Sequence, residues 1–84
     1  MEYPVLNLIE TGKRIKELRE ARNISIEELC IFLGDISLQA VYKWQAGKSL
    51  PTVDNLYAIA RYFHVTIEDI LVISNDNEKD EPER

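Results

Sequence analysis

Helix-start signals recur at short intervals along this chain, and they restrict it to a set of short helices. Ser25 and Glu28 form a capping box in "SIEE", in which each side chain can bond the other residue's backbone N–H. Further cap residues precede apolar runs at Asn7, Ser37, Thr52 and Thr66. Between the caps, apolar residues recur every three or four positions, and no long stretch alternates apolar with polar residues. The pattern therefore predicts an all-α fold.

Five helices follow from these starts and from residues that can end a helix. We predict them from Asn7 to Asn23, Ser25 to Gly34, Leu38 to Ala46, Thr52 to Phe63 and Thr66 to Leu71. Gly12 lies inside the first helix and indicates a close contact with another helix. Short loops between the helices predict a compact five-helix bundle over residues 1–73. The turn "LGDIS" between the second and third helices predicts a helix-turn-helix unit.

Composition limits the compartment and the partners. The 84 residues suffice for one domain, and a single cysteine permits no internal disulfide, so a reducing compartment is expected. No apolar run approaches the roughly 18 residues of a membrane span. The first residues also lack the basic region of a signal peptide. We therefore expect a cytoplasmic protein with no membrane contact.

Charge is distributed unevenly, which matters more than the net charge of −5. Residues 74–84 contain five acidic and two basic residues and almost nothing apolar, and we predict that they form an acidic, disordered tail. A basic run lies in the first helix, at Lys13, Arg14, Lys16, Arg19 and Arg22. The acidity is therefore partly a property of the tail.

The third helix has an inward face and an outward face. Val41 and Trp44 lie three residues apart, and an apolar residue at Val41 must hold this helix against the second. We therefore interpret Trp44 as a core anchor and not as a ligand contact. The residues predicted to project outward are Leu38, Gln39 and Lys43.

The outward residues have chemistry suited to DNA. Gln39 can make two hydrogen bonds to an adenine edge, and Lys43 can reach a guanine or a phosphate. Tyr42 can donate its hydroxyl to the sugar-phosphate backbone. Free N–H groups at the start of the second helix and in the "GKS" loop suit phosphate oxygens. The predicted backbone contacts are Tyr42, Ser25, Lys48, Ser49 and, from the basic run, Arg14.

The sequence resembles the phage-repressor-like (Xre/Cro-like) DNA-binding family. The resemblance covers roughly residues 12–71, through "RIKELREARNISIEEL" and "AVYKWQAGKSLPTVDNLYAIARYFHVTIEDIL". It implies a lambda-repressor-like five-helix bundle whose third helix, residues 37–46, reads the major groove. Gln45 stands where the family usually has glutamate, and the turn "GDIS" is one residue longer than usual. Leu38 replaces an often polar reading residue and either presses on a thymine methyl or tucks away.

No arrangement of residues suggests catalysis. His64, at a helix end beside apolar residues, is interpreted as a loop histidine and not as a metal ligand. Cys30 is expected to be a buried, unreactive thiol. The sequence also lacks a phosphate-binding glycine loop. We therefore expect no enzyme activity, no cofactor and no metal.

Two functions remain open at this point. The first is a sequence-specific transcriptional regulator that binds double-stranded DNA as a possible homodimer on half-sites about one helical turn apart. The second is a helix-turn-helix protein-interaction module, of antitoxin or anti-repressor type, that binds a protein partner. The negative net charge and a pI near 4.8 favour the second.

Overall fold

The computed structural model describes residues 3–74, and within this range the chain forms five α-helices. They are α1 (Leu8–Ala21), α2 (Ile26–Phe32), α3 (Leu38–Gln45), α4 (Val53–Phe63) and α5 (Ile67–Ile70). The predicted all-α, five-helix fold is confirmed, and the predicted helix ends differ by a few residues at most. Apart from Ser74, the predicted acidic tail lies outside the described residues.

Each helix begins at the polar cap residue predicted for it. The side chains of these residues accept the backbone N–H three positions later, and the residues are Asn7, Ser25, Ser37, Thr52 and Thr66. The bonds measure 3.0 to 3.3 Å. The bond is reciprocal at Ser25 with Glu28 and at Thr66 with Asp69, where the carboxylate accepts the cap residue's own N–H. A cap of this kind contributes about 1 kcal/mol to stability.

Left-handed residues follow four of the helices. Asn23 has a φ of 57° and Gly47 a φ of 78°, both at predicted helix ends. Gly34 and Asp35 form the α2–α3 turn with consecutive φ values of 82° and 65°. His64 caps α4 with a φ of 61°, a left-handed conformation that is uncommon for residues other than glycine. The interpretation of His64 as a residue at a helix end is thus confirmed.

One apolar core joins all five helices. Its buried members are Ile15, Leu29, Cys30, Val41, Trp44, Leu56, Ile59, Ala60, Phe63 and Ile70. Trp44 is 5% exposed, so the prediction that it anchors α3 in the core is confirmed. Cys30 is 6% exposed, as expected for a buried thiol. Truncating a buried aromatic or aliphatic side chain in such a core typically costs about 2–5 kcal/mol of stability. Because Val41 and Trp44 are buried in this core, they hold α3 in position.

The first and third helices approach each other at Gly12. A Cβ atom at this position would overlap the carbonyl oxygen of Trp44 and lie 2.7 Å from that of Gln45. Only glycine therefore permits the observed distance between α1 and α3. The predicted close helix contact at Gly12 is confirmed.

The two ends of the described chain lie side by side. Leu6 and Ile73 form an isolated antiparallel bridge, and the N–H of Ser74 donates to the carbonyl of Val5 across 2.6 Å. The buried hydroxyl of Thr11 accepts the N–H of Val72 at 2.9 Å. These bonds fasten the segment after α5 to the first turn of α1. Among the described residues, no helix has the length and apolar character needed to cross a membrane.

Candidate nucleic-acid interface

Four side chains form the exposed surface of α3. Gln39 and Lys43 are one helical turn apart, and Leu38 and Tyr42 form a second pair beside them. All four are exposed, while Val41 and Trp44 on the opposite side are buried. The outward face predicted at Leu38, Gln39 and Lys43 is therefore present, and Tyr42 is exposed beside it. It is named here the α3 surface, comprising Leu38, Gln39, Tyr42 and Lys43.

Leu38 belongs to this surface and not to the core. Its side chain is 42% exposed, compared with 54% for Tyr42 one turn later. Of the two alternatives left by the sequence, a tucked-away Leu38 is thus wrong. A half-exposed leucine beside a glutamine gives the α3 surface an apolar edge that could meet a thymine methyl group.

A buried arginine of α1 connects the end of α3 to the segment just before α2. Arg19 of α1 is 8% exposed, and its Nε donates to Oε1 of Gln45 at 3.1 Å. Its Nη1 donates to the carbonyl of Ile24 at 2.8 Å, just before α2. This structural role of Arg19 was not predicted from the sequence. The available signal was that Arg19 follows Ile15 by four residues and therefore lies on the same inward face.

The turn before α3 is fastened by a single carbonyl group. The carbonyl of Cys30 accepts the N–H groups of Asp35, at 2.9 Å, and of Ile36, at 3.2 Å. With Gly34 and Asp35 both left-handed, the turn leaves neither of their two amides unpaired. The start of α3 is thereby held against the end of α2.

The loop after α3 offers side chains but fewer free amides than predicted. The N–H of Gly47 donates to the carbonyl of Trp44 at 3.1 Å, and that of Lys48 donates to the carbonyl of Lys43 at 2.9 Å. The prediction that N–H groups of the "GKS" loop are free is therefore wrong for these two residues, because they close the end of α3. The Lys48 side chain is exposed, and Ser49 is partly exposed.

The start of α2 is likewise occupied. The Ser25 N–H donates to the Glu28 carboxylate at 2.8 Å, and the Glu28 N–H donates to Oγ of Ser25 at 3.0 Å. The predicted free N–H groups at these two residues are thus wrong, because the capping box uses both. Glu27 and Glu28 also place negative charge in this first turn, where a phosphate would be repelled. The hydroxyl hydrogen of Ser25 remains as a donor.

Most of the predicted basic run supports the fold. The Nη1 of Arg14 donates to the carbonyl of Asp69 at 2.9 Å, so this side chain joins α1 to α5. The Nε of Arg22 donates to the carbonyl of Phe63 at 2.7 Å and joins α1 to the end of α4. Lys13 pairs with Glu10 at 3.4 Å. The guanidinium groups of Arg14 and Arg22 thus tie α1 to α5 and to the end of α4, and the predicted backbone contact of Arg14 stays a prediction.

Comparison with known families decides the identity of this arrangement. A family model for helix-turn-helix proteins (HTH_3) matches residues 15–70, from the middle of α1 to the last residue of α5. The chain belongs to this helix-turn-helix family. The match includes Arg19, the α2–α3 turn and the whole α3 surface, and it confirms the resemblance inferred from the sequence.

Curated relatives of this helix-turn-helix chain are described as transcriptional regulators. The transcriptional activator BcrR of Enterococcus faecalis is 33% identical over 63 residues, which cover 75% of this chain and 30% of BcrR. An uncharacterized HTH-type transcriptional regulator of Archaeoglobus fulgidus is 35% identical over 63 residues, covering 75% of this chain and 87% of the relative. The chain thus spans less than a third of BcrR and most of the archaeal protein.

Solved structures share the fold. The restriction-modification controller protein C.AhdI from Aeromonas hydrophila superposes with a TM-score of 0.67 at 24% identity, covering 75% of this chain and 94% of C.AhdI. The apo competence regulator ComR from Streptococcus vestibularis gives 0.66 at 31% identity, covering 74% of this chain and 21% of ComR. Family and relatives together support the predicted class of DNA-binding transcriptional regulator, and none of them favours the protein-interaction alternative.

Among residues 3–74, two side chains, those of Cys30 and Asp69, have pKa values shifted from their ordinary values. Burial, and then the charge of Glu27, raise the pKa of the Cys30 thiol. Hydrogen bonds from the backbone and then the side chain of Thr66 lower the pKa of Asp69, and the Arg14 charge adds to this. Both shifts follow from structural contacts outside the α3 surface. Within residues 3–74, no three acidic, histidine or cysteine side chains cluster as metal ligands would.

Proposed function

We propose that this chain is a sequence-specific DNA-binding transcriptional regulator that places α3 in the major groove. The observation that carries the proposal is the division of α3, whose inward side chains are buried and whose outward side chains are exposed and polar or mixed. An α-helix fits the major groove of B-DNA, where base edges are distinguishable. The tie from Arg19 to Gln45 supports the proposal, because it fixes the angle at which α3 would enter.

Three residues would read bases. Gln39 would make a bidentate contact to adenine, and Lys43 would bond a guanine or the adjoining phosphate. Leu38 would press on a thymine methyl, for which its half-exposed side chain is suited. These roles predict a preference for adjacent A·T and G·C pairs within one half-site.

Other residues would position the domain on the backbone. Tyr42, Lys48 and Ser49 lie on or directly after α3 and carry hydroxyl or ammonium donors for phosphate oxygens. Ser25 contributes its hydroxyl hydrogen alone, since the capping box uses its other groups. We leave Arg14 out of the interface, because its guanidinium already donates to the carbonyl of Asp69 in α5.

We further propose that the chain binds as a homodimer on two half-sites about one helical turn apart. One exposed helix of eight residues reads only a few base pairs, and doubling the site supplies both affinity and specificity. DNA as the partner would place the protein in the cytoplasm, in agreement with its single cysteine. Regulation by DNA binding requires no catalytic step.

The experiment is selection from random duplex, followed by variants of the selected site. Gln39→Ala should cost about 1–3 kcal/mol of binding and relax the preference at one base pair. Lys43→Ala should lower the slope of log affinity against log salt by about one if it contacts phosphate. If Lys43 reads a base instead, discrimination should fall more than the slope.

The control removes a cation from another helix. Arg61→Ala in α4 changes the net charge as Lys43→Ala does, and Arg61 contacts Tyr57 of its own helix. All three substitutions lie at exposed sites, where the free energy of unfolding usually changes by less than about 0.5 kcal/mol. The three variants should therefore melt close to the melting temperature of the parent. A folded Gln39→Ala and Lys43→Ala double variant that binds the selected duplex as well as the parent would refute α3 as the reading element. The protein-partner alternative would then take precedence.

A further inference from the structure

Three exposed lysines lie on the two segments of the chain that meet at the end of α3. We define the basic rim as Lys16, Lys43 and Lys48, all exposed. The N–H of Lys48 donates to the carbonyl of Lys43, so their backbones meet. Lys16 is exposed and follows Gly12, the residue of α1 that contacts the end of α3, by one helical turn. Among residues 3–74, no carboxylate forms an ion pair with these three lysines.

The chain leaves its described region close to this rim. The N–H of Ser74 donates to the carbonyl of Val5, and Val5 precedes Ile9 by four residues. Ile9 in turn packs against the α3–α4 loop, since a Cβ on Gly47 would lie 2.6 Å from the Cα of Ile9. The four residues from Val5 to Ile9 span at most about 14 Å, so Ser74 lies within that distance plus two contacts, Ser74 to Val5 and Ile9 to Gly47, of the loop that carries Lys48.

The ten residues that follow Ser74 are complementary in charge to the rim. Residues 75–84 contain five acidic and two basic side chains. A chain of ten residues can extend to about 33–36 Å, which exceeds the distance from Ser74 to the rim. Tethering also gives such a segment an effective concentration in the millimolar range at a nearby site.

We propose that residues 75–84 bind the basic rim and compete with DNA phosphates for Lys43 and Lys48. The competition rests on the proposed function, whereas the contact itself does not. Single exposed ion pairs contribute about 0–1 kcal/mol each, so several must act together. The segment then acts as an internal substitute for DNA that weakens binding to all sequences and leaves base preference unchanged.

The contact is tested without DNA, in the full-length chain. A variant with a neutral segment carries Asp76→Asn, Glu78→Gln, Asp80→Asn, Glu81→Gln and Glu83→Gln. Comparison of backbone amide NMR spectra of parent and variant at low salt should show changes at Lys16, Lys43, Lys48 and Ser49. These changes should disappear in 1 M salt, where charges are screened beyond about 3 Å. Changes confined to residues 70–84 and to residues 3–7, next to Ser74, would overturn the proposal.

The competition is tested by a double-variant cycle on random-sequence duplex. If the segment covers the rim for about 80–90% of the time, the neutral segment should raise affinity about five- to tenfold at low salt. In a Lys48→Gln background this gain should shrink, because the segment has lost part of its site. In an Arg61→Gln background it should persist, because Arg61 lies on α4 and is not a member of the rim.

The outcomes separate the two proposals. An equal gain in the parent, Lys48→Gln and Arg61→Gln backgrounds would mean general repulsion of DNA by the acidic residues and would overturn the rim contact. If neither protein binds duplex but the amide changes appear at the rim, the contact stands and the proposed function fails.

Discussion

The Nε of Arg19 donates to Oε1 of Gln45 across 3.1 Å, joining the last turns of α1 and α3. The Arg19 side chain is largely buried, and among residues 3–74 its one ion pair is with the exposed carboxylate of Glu20, 3.8 Å away. The positive charge of Arg19, held between α1 and α3, therefore faces the neutral amide of Gln45, where a carboxylate would fit. A carboxylate at residue 45 would therefore add an electrostatic contribution to the stability of the domain.

Gln45→Glu should stabilise the domain. A carboxylate in place of the amide turns a neutral bond to Arg19 into a charge-assisted bond, and we expect a gain of about 1 kcal/mol. For a domain of this size that gain raises the melting temperature by about 4–8 °C. The nearby guanidinium should lower the pKa of the new carboxyl, so the gain exists at pH 7 and is lost as pH falls through that pKa.

Gln39→Glu is the matched control for this change. It makes the same substitution on the exposed side of α3, away from Arg19, and should alter the melting temperature little. Thermal unfolding of both variants at pH 7 and pH 3 measures the difference. Equal melting temperatures for the two variants at pH 7 would contradict the role assigned to Arg19.

Trp44→Ala should cost about 3–5 kcal/mol, because it removes a buried aromatic side chain from the core. Tyr42→Ala, two residues earlier on the exposed face, should cost much less and serves as the control. Urea unfolding followed by circular dichroism measures both free energies. Similar losses for the two variants would mean that the inward and outward faces of α3 are assigned incorrectly.

Gly12→Ala should destabilise the domain even though alanine favours helix by about 1 kcal/mol over glycine. The added methyl overlaps the backbone carbonyl of Trp44, which cannot rotate away as a side chain could. Overpacking of this kind costs about 1–3 kcal/mol or more. Chemical denaturation of the variant checks the sign, and a gain in stability would show that α1 and α3 can separate freely.

His64→Gly should stabilise the domain by about 0.5–1 kcal/mol. The residue caps α4 in the left-handed region, where a side chain with a Cβ is strained and glycine is not. His64→Ala is the comparison, since it removes the imidazole and keeps the Cβ. Differential scanning calorimetry should give a higher melting temperature for the glycine variant than for the alanine variant.

Cys30 should make stability fall at alkaline pH. Burial raises its pKa above the ordinary value of 9.0, so the folded protein keeps a proton that the unfolded chain loses. The contribution is complete below about pH 9 and is lost as pH rises through the folded pKa. Urea unfolding at pH 7 and pH 10 should show a smaller alkaline loss for Cys30→Ala than for the parent. An identical loss in both proteins would assign it to other groups.

The sequence predicted what is local in the chain. A cap such as Ser25 can be predicted because its partner lies three residues away. The burial of Trp44 can be predicted from its spacing to Val41. The family pattern added the order of the helices and the position of the α3 surface. Both kinds of information concern neighbours along the chain or a shared arrangement of known elements.

The roles of the arginines depended on tertiary packing. Arg14 donates to a carbonyl 55 positions away, and a run of basic residues does not reveal which distant carbonyl groups will lie open beside it. The free amides expected near Ser25 and Lys48 failed for a related reason. At both places the N–H groups already donate to acceptors within the protein. The number of N–H groups free to bind phosphate is therefore smaller than the position of a helix end in the sequence suggests.

The bond between Thr11 and Val72 also sets an order of events during synthesis. The two residues are separated by 61 positions, so α1 leaves the ribosome long before the partner of its first turn exists. Until Val72 emerges, the hydroxyl of Thr11 and the N–H of Asn7 lack their native partners. The domain should therefore become protease-resistant only when translation has passed this point, and nascent chains arrested earlier should remain sensitive.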